Sequence, residues 1–129
     1  MRDVVVDTNI LVSALIVPGS KPDQIVEMAL TSQLNLCYSD EILAEYELVL
    51  FRPKFNFNQE TVKLWLNCLT ESGRKVSPTQ SVFEFQDESD RKFYDVAKTC
   101  NAYLITGNIK HYPTEPFILL PAQFLQLFM

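Results

Sequence analysis

Two apolar runs in this chain stop abruptly on small polar clusters. Val4-Val5-Val6 ends on Asp7-Thr8-Asn9, and Tyr103-Leu104-Ile105 ends on Thr106-Gly107-Asn108. A carboxylate and small polar groups at two such ends point to an active site. More acid lies close by in sequence: Asp87, Glu88 and Asp90 sit just before the segment that leads into the second run. Within the stretch 40–51, Glu45 has Ile42, Leu48 and Val49 as helical neighbours and is half sheltered, but Glu47 has equally apolar neighbours, so periodicity does not choose between them. The plainer alternative for Asp7 and Asn9 is N-capping of the helix that follows. With 16 Asp and Glu in the chain, most acids must simply be solvated.

For the two polar clusters to meet, the two runs must be neighbouring strands that end at one crevice. A continuous apolar run is the mark of a buried strand, and in an open α/β sheet the ligand crevice lies outside the carboxyl ends of the strands. The rest of the pattern supplies such a sheet. Strand 3–7 is followed by a short helix through Ile10, Leu11, Ala14 and Leu15, a helix over 22–32 and a strand over 34–38. Ser39 is a natural cap for a helix over 40–51, and Asn58 caps another whose apolar face is Val62, Trp65, Leu66 and Leu69 and which ends near Gly73. Val76 begins a weak strand; Ser89 or Asp90 opens a helix through Phe93, Val96 and Ala97. Strands 103–106 and 117–120 and a final helix over 122–128 complete the chain. Strands separated by helices predict an α/β fold with a central parallel sheet flanked by helices, in one domain over 1–129.

Composition narrows the function classes. A formal net charge of −5 excludes nucleic-acid binding through bulk positive charge. No apolar stretch approaches the roughly 20 residues of a membrane span, and the start lacks a secretory apolar segment, so a cytoplasmic protein is expected. Cys37, Cys68 and Cys100 are far apart and predict buried, reduced thiols rather than a disulfide framework or a zinc site. A phosphotransfer enzyme of the haloacid dehalogenase kind wants a second Asp two residues after the first, where Asn9 stands.

The chain resembles the PIN domain nucleases over nearly its whole length. The resemblance runs through Asp7-Thr8-Asn9, then Ser39-Asp40-Glu41-Ile42-Leu43-Ala44-Glu45, then Arg52-Pro53-Lys54-Phe55. It continues with Asp87-Glu88-Ser89-Asp90-Arg91-Lys92-Phe93 and with Ala102 to Asn108, on to His111. It is similar in particular to the VapC-like branch, the toxins of toxin–antitoxin pairs. That resemblance implies a single α/β/α domain, metal-dependent cleavage of RNA with Mg²⁺ or Mn²⁺, and Asp7, Glu45 and Asp90 as catalytic metal ligands. Thr8, Asn9, Thr106 and Asn108 are expected to support them. Asn108 stands where many members have Asp, which leaves one ligand neutral.

Other residues carry weaker expectations. His111, the one histidine, is a catalytic or phosphate-contact candidate that more simply faces solvent; Asp87 and Asp95 either add to the acidic pocket or sit in water. Arg91, Lys92 and Lys110 are candidates for RNA contact, although each is on its own a plain surface cation. Tyr46, Trp65 and Phe93 read as core. The last 13 residues carry Phe117, Ile118, Leu119, Leu120, Phe124, Leu125, Leu127 and Phe128, an apolar load that predicts a homodimer or an antitoxin seated there, unless it packs on its own core. The rivals to a toxin nuclease are a catalytically weakened PIN-like module that binds RNA or protein, and an RNA-processing nuclease without an antitoxin.

Overall fold

Valine-rich β1 (Arg2–Val6) is the axis of the molecule: Val4, Val5 and Val6 are almost wholly buried. Such burial requires neighbours on both edges and cover on both faces. A computed structural model describes residues 2–128 and supplies both. The other strands are β2 (Leu34–Tyr38), β3 (Arg74–Lys75), β4 (Tyr103–Ile105) and β5 (Ile118–Leu119), all paired in parallel in the order β3-β2-β1-β4-β5. Val4, Val5 and Val6 stand opposite Tyr103, Leu104 and Ile105, so the two apolar runs end side by side.

Among the described residues six helices cover the sheet: α1 (Thr8–Ile16), α2 (Lys21–Leu30), α3 (Asp40–Leu50), α4 (Gln59–Ser72), α5 (Arg91–Cys100) and α6 (Pro121–Gln126). Helix α5 packs over β1, β2 and β4 beside α3, while α2 packs with α4, α6 and β2. Local chemistry starts and stops them. The Ser39 hydroxyl accepts the Ile42 N–H at 3.3 Å, and the Asn58 side chain accepts the Thr61 N–H at 3.0 Å. Asn101, at φ +54°, ends α5 in the left-handed conformation that Asn tolerates.

Chain direction creates the crevice. From β1 the chain crosses through α1 and α2 to β2 on one side, whereas from β4 it passes to β5 on the other. The connections therefore diverge between the carboxyl ends of β1 and β4, the switch point at which open α/β sheets bind ligands.

Three expectations need correction. The third strand lies at Arg74–Lys75, before Val76: both residues are exposed, and they owe their strand to backbone pairing with Cys37 and Tyr38, which apolar patterning cannot reveal. The final helix closes at Gln126 rather than 128, where Leu127 and Phe128 turn their N–H groups to the Phe124 and Leu125 carbonyls in tighter three-residue bonds. All three cysteines are free, but only Cys37 and Cys100 are buried; Cys68 sits on the outer face of α4. Most of the C-terminal apolar load packs at home, with Ile118 and Phe124 in the core and Phe117, Leu119 and Leu125 against it, leaving Leu127 and Phe128 exposed.

Gly73 makes the α4 to β3 turn possible. A Cβ there would lie 2.5 Å from the Leu69 carbonyl oxygen and 2.6 Å from that of Leu36, both backbone atoms that cannot swing aside. Gly73→Ala is therefore expected to destabilise the chain by about 1–3 kcal/mol, the usual cost of overpacking. Urea unfolding monitored by far-UV circular dichroism measures it, and an unchanged midpoint would contradict the close approach.

Candidate active site

Asp7 is the first residue after β1 and stays 94% buried with its main chain still in the sheet, its N–H bonded to the Ile105 carbonyl at 3.0 Å. Although it holds the N-cap position of α1, its side chain makes no capping bond. Its Oδ2 instead accepts two hydroxyls at 2.9 Å, from Thr106 and from Tyr112. Burial raises the Asp7 pKa, and the nearby Glu45 charge adds to the rise, against the lowering by the two hydroxyl bonds. Tyr112 is pushed up in turn, chiefly by burial, so it stays a phenol and keeps its proton for donation.

Asp90 closes the 3-10 turn Glu88–Asp90 at the start of α5. Its Oδ2 is sealed from solvent and has no hydrogen-bond partner, while His111 Nδ1 stands 3.5 Å away, an ion-pair distance only when the imidazole is protonated. Burial, then the charges of Asp7 and Asp87, push the Asp90 carboxyl up to about 6. Two carboxylates thus share a poorly solvated space, and one of them presents an oxygen with nothing to bind.

Glu45 is positioned by α3 and half sheltered, whereas Glu47 faces solvent, a choice that periodicity left open. Both Glu45 oxygens are occupied: Oε1 lies 2.7 Å from the Lys92 ammonium, and Oε2 accepts the Thr8 hydroxyl. Among the described residues no three Asp, Glu, His or Cys side chains converge closely enough to enclose an ion. In donor chemistry the pocket fits a hard cation at Asp7 and Asp90, with oxygen donors and an orphaned carboxylate oxygen. Glu45, bound to Lys92, stands beside that pair as a committed neighbour.

The expected supporting residues do distinct things. Thr8 holds Glu45; Asn9 bridges the two strand ends by accepting the Gly107 N–H at 3.2 Å; Thr106 donates to Asp7 and accepts the Asn108 N–H at 3.0 Å. Asn108 itself is exposed and enters the network through its backbone. Asp87 is exposed and caps the 3-10 turn through Ser89, whose hydroxyl and N–H hold its pKa down. Asp95 neither joins the acidic pair nor faces water: it is buried and accepts the Ser81 N–H at 3.2 Å.

Arg91 is likewise no free cation. It makes a two-pronged pair with Glu88 at 2.8 Å, donates to the Ser81 and Phe83 carbonyls, and lies over the Phe85 ring. Together with Asp95 it clamps the extended segment before the 3-10 turn onto α5. Lys110 is exposed beside the site. Sequence reasoning missed Tyr112 and the polar role of Tyr46, whose hydroxyl donates to the Val6 carbonyl at 2.5 Å just ahead of Asp7. The signal available was a tyrosine at a core position, since a buried phenol requires a partner.

A family model described as PIN domain matches residues 3–110. The uncharacterized protein MJ1680 of Methanocaldococcus jannaschii is 30% identical over 108 residues, covering 81% of this chain and 70% of the relative. Domains of this family are generally nucleases that use divalent metal ions. Among the described residues no helix is long and apolar enough to cross a membrane.

Because the folded chain raises the Asp90 pKa from 3.8 to about 6, its native state favours the neutral acid. The associated stability is complete below about pH 4 and is lost as pH rises through 6. Asp90→Asn, a permanent neutral mimic, is expected to stabilise the chelator-treated protein above pH 7 by on the order of 2 kcal/mol, seen as a higher melting temperature, with the gain fading toward pH 4. Melts across that range decide it; a gain equal at every pH would mean that Asp90 carries no such strain.

Proposed function

The chain belongs to the PIN domain family, and from that premise we propose that it is a metal-dependent endoribonuclease, the toxin of a toxin–antitoxin pair. The observation that carries the reading is the buried, unpartnered Asp90 Oδ2 beside a buried Asp7 at the β1–β4 crevice. Such a pair repels a phosphodiester until a cation neutralises it. Bound Mg²⁺ or Mn²⁺ would supply charge neutralisation at the phosphate and a more acidic water. The chain's own part is positioning. Thr106 and Tyr112 fix Asp7 through Oδ2, and Asn9 ties the two strand ends so that Asp7 and Asp90 keep their spacing. Hydrolysis joins a water oxygen to phosphorus and releases the ester oxygen, which takes up a proton; exposed His111, 3.5 Å from Asp90, is one group able to exchange a proton with solvent.

RNA as the substrate and the toxin role rest on the resemblance to VapC-like proteins in the motifs from Asp7 to His111. A reducing, cytoplasmic setting agrees with three free cysteines. Exposed Leu127 and Phe128 are the part of the C-terminal apolar load left for a second copy or an antitoxin. One observation favours the second reading, a weakened RNA-binding or protein-interaction module: the commitment of Glu45 to Lys92, together with a neutral Asn108.

Incubation with total RNA separates the two. Cleavage is expected with Mn²⁺ or Mg²⁺, is expected to stop with chelator, and should fall at least 100-fold in Asp7→Asn, the range lost when a group that organises the reacting charge is removed. Chelator-resistant cleavage would defeat the metal reading, and RNA retained without cleavage would favour the weakened module.

A further inference from the structure

Lys92 follows Asp90 by two residues, in the first turn of α5, and points back into the site instead of out to solvent. Only 12% of its side chain is exposed. Its ammonium donates to the Ser89 carbonyl and pairs with Glu45 Oε1 at 2.7 Å, while the Thr8 hydroxyl takes the other Glu45 oxygen. A compact, strongly hydrated ammonium withdrawn this far from water is held only by such partners. Each Glu45 oxygen thus already holds a donor, in contrast to Asp90, whose Oδ2 accepts no hydrogen bond.

The local charge follows. Asp7, Asp90 and Glu45 contribute three negative charges when ionised, Lys92 returns one positive, and Asn108 is neutral. Two negative charges remain among these groups, with exposed Asp87 and His111 at the rim, and one divalent ion balances the two. A second divalent ion would overcharge the site, and it would have to win Glu45 from an ammonium already in contact with it.

Resting on the metal-site reading above, we infer that Lys92 occupies the place of a second metal ion. The site takes one divalent cation at Asp7 and Asp90, and Glu45 is a positioning residue for Lys92 rather than a ligand.

Mn²⁺ binding to the intact chain, counted by the electron paramagnetic resonance of free Mn²⁺ and independently by calorimetry, tests this without any measurement of cleavage. The wild type is expected to take one ion. Asp90→Asn, which removes a ligand and a charge, should weaken its uptake at least 10-fold, whereas Glu45→Gln, which removes a charge but no ligand, should leave the count at one and weaken uptake less than Asp90→Asn does. Lys92→Met, which frees the Glu45 carboxylate, should add a second ion, and Lys92→Arg should restore the count of one; thermal melts of each variant establish that it is folded. Two ions in the wild type overturn the inference, as does a loss in Glu45→Gln equal to that in Asp90→Asn, or a folded Lys92→Met that still binds one. If the wild type binds no Mn²⁺ at all, the metal reading of the site itself fails, an outcome distinct from an ion count of two.

Discussion

The structure depends on how a carboxylate is kept at the end of a fully buried strand. Asp7 cannot retreat into water, because its own N–H is bonded to Ile105 and the three valines before it are sealed in the sheet. Burying a charge without partners costs several kcal/mol, so the surroundings must supply donors. They come from far along the chain, Thr106 and Tyr112, and they reach Asp7 only because β4 is the neighbour of β1 and the chain turns back sharply after it. Strand order, the turn through Gly107 and the phenol of Tyr112 are three parts of the solvation of one carboxyl group. That solvation is incomplete by design of the donor set: hydroxyls soften the charge without cancelling it, and Asp90 is brought into the same field. Full satisfaction would have left nothing to attract a cation.

Around this pair the chain separates the groups that hold geometry from those left with spare bonding capacity. Helix α5 illustrates the division. Its N-cap and first turn deliver Asp90 and Lys92 to the crevice, while Arg91 and Asp95 grip the segment around Ser81 and Phe83. Successive residues on a helix point about 100° apart, so one helix can serve the site and the clamp at once. The clamp has a consequence for the site: the extended segment ends in the 3-10 turn that carries Asp90, so fixing it against α5 fixes the approach of that carboxylate. Arg91 does more by being unavailable to a ligand than it would as one more cation on an acidic surface.

Much of this was legible in the residues. Continuous apolar runs with abrupt polar ends marked β1 and β4 and their shared crevice, and Ser39 and Asn58 placed the starts of α3 and α4, because burial and capping act over a few adjacent residues. What stayed illegible depends on contacts far apart in sequence. Arg74 and Lys75 form a strand only because Cys37 and Tyr38 offer them an edge. Asp95 looked like a surface or pocket acid, yet it anchors Ser81, fourteen positions earlier. Glu45 and Glu47 have equivalent apolar neighbours, and what separates them is the rotation of α3 relative to Thr8 and Lys92, a tertiary quantity.

The charges in the crevice bear on why so acidic a chain can still address a polyanion. At an effective dielectric of about 20, two unit charges 4 Å apart repel by roughly 4 kcal/mol, so adding a phosphate to three unscreened carboxylates would be prohibitive. The chain lowers that barrier in two ways that need no bulk basicity. Internally, Lys92 cancels Glu45, and Asn108 adds no charge. Externally, the remaining deficit favours small cations of high charge density, and one bound at the pair would convert the repulsive crevice into an attractive one. A chain at net −5 thus needs no bulk basicity for an attraction that a bound cation would confine to this one crevice.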